Sequence, residues 1–231
     1  MTDENESSRQ TPSAAGGRKP LRILIVDDHA VVRGGLKQLL ADKFPFATFG
    51  EAGNAQQALD LLDNATWDVM LLDLAMPGRG GLDVLNQLKD IQPTTKALVL
   101  TMHPVDQYAV RVLKSGACGY LTKESAPDEI VAAIEKILAG GKYVTAALAE
   151  KLLSNLAAPA DKKPHEMLSD REYQVLLQLS SGKSVKEIGA ELSLSVKTIS
   201  TYRTRIFQKL QFKSNADVIR YAMDEHLAGN H

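Results

Sequence analysis

Five side chains in this chain could together carry out phosphoryl chemistry. Asp27 and Asp28 follow the apolar run Ile23-Leu24-Ile25-Val26, and Asp73 closes the run Val69-Met70-Leu71-Leu72. Thr101 follows Lys96-Ala97-Leu98-Val99-Leu100, and Lys123 comes just after Gly119-Tyr120-Leu121. If these runs are parallel strands, their carboxyl ends share one sheet edge, where open α/β sheets hold ligands. Three neighbouring carboxylates repel one another, so the cluster calls for a cation. Oxygen-only donors favour Mg²⁺, which suits phosphoryl transfer. Asp73 would attack phosphorus as the nucleophile. Asp28 and Asp73, with Asp27 directly or through water, would hold the metal, while Lys123 and Thr101 contact the remaining phosphoryl oxygens. Taken singly, the residues have plainer readings. Asp27 or Asp28 alone is a helix cap, Lys123 a solvated charge, Tyr120 partly a core residue, and His103 a loop histidine or a tuning residue for phosphoryl lifetime.

The elements that must position these groups alternate along the chain. Strands are expected over 21–26, 47–52, 69–72, 96–100 and 119–121, the third buried on both faces. Helices are expected over 30–41, 55–63, 82–90, 108–115 and 127–139, the last opened by Pro127 and followed by Gly140-Gly141. Five β–α repeats imply a doubly wound, five-stranded parallel sheet. A further helix is expected from about Thr145 to Leu156, and Ala157 to Pro164 has linker composition. Beyond it the pattern is helical only: 170–180 behind Ser169, 185–192, a turn at 193–195, 196–210, and 215–225 behind Ser214.

Composition is compatible with two domains. The 231 residues are 44% hydrophobic and 24% charged, the balance of a soluble globular protein. Net charge is −1, but its distribution is uneven. Residues 21–140 carry 11 basic and 15 acidic groups, whereas 192–216 carry five basic and none acidic. Cys118 is the single cysteine, which excludes an internal disulfide or a cysteine-rich zinc site and reads as a small buried packing residue. Residues 1–20 have the polar composition of a disordered tail. With no signal-peptide core and no run of about 18 apolar residues, a cytoplasmic protein without membrane contact is expected.

The pieces Val26-Asp27-Asp28-His29, Leu72-Asp73-Leu74-Ala75-Met76-Pro77 with Gly81, Leu100-Thr101 and Tyr120-Leu121-Thr122-Lys123 resemble the receiver domain of two-component response regulators. The resemblance covers about 21–140. It implies a flavodoxin-like α/β fold, Mg²⁺ dependence, and phosphorylation of Asp73 by a sensor histidine kinase. It also implies a switch in which Thr101 moves toward the phosphoryl group and Tyr120 changes rotamer. Ala75, two residues after Asp73, would turn its backbone carbonyl toward the metal.

A second constellation lies in the basic stretch. On a helical wheel Val196, Ile199, Ile206 and Leu210 share one face, with Phe207 at its edge. Lys197, Thr201, Thr204, Arg205 and Gln208 lie opposite, with Ser200 on the flank. A basic, hydroxylic face without acids suits a DNA major groove, although a solvated face in a small bundle would look alike. Leu168-Ser169-Asp170-Arg171-Glu172, Gly182-Lys183-Ser184-Val185-Lys186-Glu187-Ile188-Gly189 and Leu194-Ser195-Val196-Lys197-Thr198-Ile199 resemble a LuxR-type DNA-binding domain, over about 164–229. With the receiver this is similar to NarL/FixJ-type regulators. The resemblance makes Val196–Leu210 the recognition helix and Glu172 a structural tie between helices. Tyr202 stands where that family often has His, and Arg203 where it often has an apolar residue. Arg203 would reach a phosphate or hold the receiver inactive.

The whole reads as a phosphorylation-switched transcription factor, not an enzyme. One recognition helix spans too few base pairs for genomic specificity, so a homodimer on paired half-sites of promoter DNA is expected, with RNA polymerase as a further partner. Two other classes compete. Haloacid-dehalogenase-type phosphatases also form an aspartyl-phosphate, but want a second Asp where this chain has Ala75. A pseudo-receiver would serve only as a protein-interaction module, which the intact set Asp28, Asp73, Thr101 and Lys123 opposes.

Overall fold

The computed structural model describes residues 19–78, 80–102, 105–146, 148–150, 152, 163–225 and 227. Five strands, β1 (Arg22–Val26), β2 (Thr48–Ala52), β3 (Val69–Leu72), β4 (Lys96–Thr101) and β5 (Gly119–Thr122), form one sheet in the order β2-β1-β3-β4-β5. Every pairing is parallel. Between and after them run α1 (Ala30–Lys43), α2 (Ala55–Asn64), α3 (Gly81–Ile91), α4 (Val105–Lys114) and α5 (Pro127–Leu138). This is the doubly wound, flavodoxin-like arrangement, whose topological switch point lies between β1 and β3. Asp27 and Asp73 stand at those two strand ends, and Asp73 N–H donates to Val26 O at 2.9 Å.

Strand alternation divides the core in two. Leu24, Val26, Met70, Leu72, Ala97 and Val99 point to the face covered by α2, α3 and α4. Ile23, Ile25, Val69, Leu71, Leu98 and Leu100 point to the face covered by α1 and α5, through Leu36, Leu40, Ile130 and Ile134. All four β3 residues are buried. Cys118 is free and half-buried, packed at the edge of the second face rather than within it. The bounds of β3 and of the helices over 170–180 and 196–210 match the sequence expectation, and those of the other described elements differ from it by one to three residues. The sheet also gains an unanticipated bridge, Gly119 to Tyr143.

The C-terminal half is a 3-10 turn (Pro164–Met167) and four helices: α6 (Asp170–Ser180), α7 (Val185–Glu191), α8 (Val196–Leu210) and α9 (Asn215–Asp224). The 3-10 turn lies where the sequence pattern indicates no element. Each helix begins at a serine, Ser169, Ser184, Ser195 or Ser214, whose side chain accepts an N–H of the first turn. In α6, α7 and α9 an acid three residues on completes a capping box, worth about 1 kcal/mol per cap. Glu172 does more than cap. Burial pushes its carboxyl up, but Lys209 Nζ at 2.6 Å and Ser169 N–H at 2.8 Å outweigh that and hold it below the usual range. Its expected role as a tie between helices is met, since Lys209 belongs to α8.

The 1–18 part of the polar tail, residues 157–162 of the expected linker, and His103 lie outside the described residues. Of the helix expected over 145–156, residues 146, 148–150 and 152 are helical. No helix among the described residues is long and apolar enough to cross a membrane.

One half-buried histidine gives the helical half a pH dependence. His165 Nδ1 lies 2.9 Å from Tyr221 Oη, and its ring tilts against Tyr173 at 5.9 Å. Burial is the main reason its pKa falls below 6.5; Lys163 and Arg111 push the same way, Glu225 and Glu166 the other. The folded chain therefore binds this proton less tightly than the unfolded one. Its contribution is complete above about pH 6.5 and is lost as pH falls through the folded value. Melting temperature should drop between about pH 7 and pH 5, and His165→Gln should flatten that part of the profile. An unchanged slope in the variant would contradict the assignment.

Candidate functional site

Asp27, Asp73, Thr101 and Tyr120 are buried, and Asp28 and Lys123 nearly so. The sheet brings them together as expected. Lys123 Nζ bridges Asp27 Oδ2 at 2.5 Å and Asp73 Oδ2 at 2.7 Å, with its side chain only 10% exposed, so it is not a solvated charge. Burial alone would lower the ammonium pKa; the two carboxylates outweigh burial and raise it. The backbone holds Lys123 there, its N–H donating to Thr101 O at 2.9 Å where β4 meets β5.

Neither aspartate of the pair caps α1. The N-cap is His29, without a side-chain cap, and Asp27 Oδ1 instead accepts the His29 N–H at 2.9 Å. Asp28 Oδ1 is buried without a hydrogen bond, since His29 Nδ1 at 2.8 Å lacks hydrogen-bond geometry. A buried carboxylate oxygen left in this state is costly unless a cation completes it. Ligand atoms of Asp27, Asp28, His29 and Asp73 all fall within 4.8 Å of one another. The donor set thus fits a hard divalent cation, with His29 as a neighbour that the sequence reading passed over.

The loop after Asp73 is equally determined. Ala75 N–H donates to Asp73 Oδ1 at 3.1 Å, so Ala75 already serves the site through its backbone nitrogen. Gly81 opens α3 against the Asp73 carbonyl: a Cβ there would sit 2.0 Å from that oxygen, so no side chain is tolerated. Tyr120 is fully buried in the face under α4. Burial first, and the Asp73 charge second, push its phenol well above the ordinary value.

In the helical half, Lys197, Ser200, Thr201, Thr204, Arg205 and Gln208 are all exposed along α8, and Ile199 and Ile206 are buried beneath. Val196 is a correction. Assigned by the wheel to the inner face, it is 52% exposed, while Ile199 in the same turn is fully buried. Thr201 and Thr204 donate their hydroxyls to Lys197 O and Ser200 O, one turn back. The Arg203 guanidinium lies 4.3 Å over the Phe207 ring and its Nε donates to Asn215 Oδ1, joining α8 to α9. The tight turn between α7 and α8 relies on Gly189, where a Cβ would approach Leu194 O to 2.8 Å.

The two halves touch through contacts that the sequence pattern did not indicate. Arg171 donates to Gly78 O, in the loop just past Asp73, and lies 3.5 Å from Asp83. Gly78 N–H donates to Leu192 O in the turn before α8. On α4, Tyr108 meets Tyr173 edge-on at 5.6 Å, while Arg111 covers the same ring and pairs with Asp170 at 3.1 Å. Tyr202 of α8 shares a cleft with Asn86 and Gln87 of α3.

The receiver domain of response regulators matches residues 23–135, and the LuxR family of bacterial regulatory proteins matches 166–222. The chain is 34% identical to the response regulator UvrY of Escherichia coli K12 over 88% of its own length and 94% of the relative's. This chain is a response regulator of the NarL/FixJ type. Its identity to the response regulator GacA of Pseudomonas aeruginosa is 36%, over 88% and 95%. Among solved structures it is similar to RcsB of Salmonella enterica serovar Typhimurium, bound to a promoter in the presence of the phosphomimetic BeF3−. That match has 25% identity and a TM-score of 0.55, over 88% and 98% of the two chains. The membership makes the chain a phosphorylation-dependent transcriptional regulator of a two-component system.

Proposed function

We propose that the receiver unit, residues 21–140, accepts a phosphoryl group from a sensor histidine kinase on Asp73, and that this governs promoter binding by the unit of residues 164–231. The observation that carries it is the Asp27–Lys123–Asp73 bridge beside the unsatisfied Asp28 oxygen. Asp27, Asp28 and Asp73, with Ala75 adjoining through its backbone, would hold Mg²⁺. Bound there, the cation would neutralise charge on phosphoryl oxygens. Lys123 turns from bridging carboxylates to contacting the acquired phosphoryl group. The Thr101 hydroxyl closes on it, and Tyr120, two residues before Thr122, follows into the space vacated. Turnover is disfavoured because Ala75 offers no acid or base to a water, so the group is stored.

The test is direct. Full-length protein with acetyl phosphate and Mg²⁺ should become labelled, and reductive trapping followed by peptide mapping should place the label on Asp73. Label on another residue, or none, would overturn the reading.

Storage on Asp73 changes the loop that carries Gly78, and Gly78 is gripped from both sides by Arg171 and Leu192 O. Phosphorylation therefore frees the DNA-binding unit to pair with a second copy on half-sites of promoter DNA, in the cytoplasm and within reach of RNA polymerase. The RcsB complex on promoter DNA supports the DNA assignment for the same architecture. Arg171→Ala should loosen the closed form: unphosphorylated variant should bind promoter DNA several-fold more tightly than unphosphorylated wild type. Small-angle scattering should show a larger radius of gyration. Equal affinity and equal radius would remove Arg171 from the mechanism.

A further inference from the structure

Arg33 projects from α1 into the corner between β1 and β2. Its Nη1 donates to the Asp27 carbonyl at 2.7 Å. That carbonyl belongs to the peptide joining Asp27 to Asp28, so the bond fixes the plane from which both side chains leave. Its Nε lies 3.7 Å from Glu51 Oε2 of β2, an ion-pair distance without a hydrogen bond, and the side chain is only 18% exposed. Lys37 takes the other Glu51 oxygen at 2.8 Å, leaving the carboxylate engaged on both sides and its pKa below the usual range. A second bond, Asp27 N–H to Ala52 O at 3.1 Å, anchors the other edge of the same residue.

From this geometry we infer that Arg33 is a positioning residue for phosphoryl acceptance, orienting the Asp27–Asp28 peptide so that both carboxylates face the cation site. The inference rests on the reading of that site as a Mg²⁺-dependent phosphoacceptor. Arg33 touches neither phosphoryl group nor metal; its effect passes through one peptide bond. Without it the Asp27–Asp28 peptide can rotate, and the cation must restore the lost order from its own binding energy.

Outer groups that orient metal ligands commonly change affinity about 10- to 100-fold when removed. Mg²⁺ alone, titrated calorimetrically into the full-length chain, is the probe. Arg33→Ala should weaken Mg²⁺ binding about tenfold and slow labelling by acetyl phosphate at low Mg²⁺, with the rate recovering at saturating Mg²⁺. Glu51→Gln removes the β2 partner but keeps the bond to Asp27 O, so it should bind Mg²⁺ within about twofold of wild type. A merely structural role would move both variants together. Arg33→Lys retains one donor and a charge, and should fall between wild type and alanine; it also serves if the alanine variant does not fold. Wild-type affinity in Arg33→Ala or Arg33→Lys, or equal losses in Arg33→Ala and Glu51→Gln, would overturn the inference. If wild-type protein itself takes no Mg²⁺, the site reading fails instead, and the two failures are distinguishable.

Discussion

Asp73→Asn is expected to reduce acetyl phosphate labelling to background, while Lys123→Met is expected to retain Mg²⁺ binding and lose stability when Mg²⁺ is withheld. The two variants separate nucleophile from counter-ion. The asparagine amide oxygen can still accept from Ala75 N–H, which now holds Asp73 Oδ1 at 3.1 Å, so the loop keeps its shape while the nucleophile and its charge opposite Lys123 are lost. Removing Lys123 is different. Asp27 and Asp73, each 2% exposed, would then face one another with no cation between them. Removing one member of a buried ion pair commonly costs about 3–5 kcal/mol, because the partner remains buried and charged. Mg²⁺ supplies the missing charge, so the melting temperature of Lys123→Met should rise far more with Mg²⁺ than that of wild type. Equal Mg²⁺-dependent shifts in the two proteins would mean that the ammonium and the cation do not share the same charge balance.

What could be read from the chain follows from where the physics is local. β3 was placed to the residue because a fully apolar run, ended by Asp73 and then Pro77, admits one assignment. The helices of the C-terminal half are legible nearly as well: Ser169 and Ser214 mark two starts as caps, and the turn at 193–195 marks a third, while the caps at Ser184 and Ser195 emerge only in the structure. The expected start of α4, Tyr108, lies three residues inside the observed one, Val105. The acid cluster was legible because the rule that parallel strands share an edge converts sequence order into proximity. Arg33, Arg111 and Arg171 were not legible. Each acts on a backbone carbonyl, of Asp27, Leu168 or Gly78, and a carbonyl has no residue-type signature. Val196 marks a different limit: the wheel gives the angular face of a helix, not whether a neighbour covers each position on it, and Val196, the first residue of α8, stays 52% exposed.

The second large effect is expected on α8. Lys197 lies in its first turn, the part of a recognition helix that reaches base edges, and Arg205 stands eight positions further on, about 12 Å along the axis. Lys197→Ala should therefore weaken binding to a selected promoter by about 1–3 kcal/mol and relax sequence preference there, with little change on random DNA. Arg205→Ala should weaken both DNAs alike and reduce the slope of log affinity against log salt by about one, the signature of one lost phosphate contact. Both are measured on protein first phosphorylated with acetyl phosphate, so that closure against the receiver does not mask the difference. Thr201 and Thr204 sharpen the expectation. Their hydroxyl protons are spent on Lys197 O and Ser200 O, which leaves methyl groups and lone pairs facing outward. Such a surface can meet a thymine methyl or accept from a base amino group, but it cannot donate to purine N7 or O6. Donation along this face then falls to Lys197, Ser200, Arg205 and Gln208, and the selected half-sites should carry a purine acceptor opposite Lys197. Fragments selected without such a position, or variants that bind like wild type at every salt concentration, would refute the assignment of this helix face.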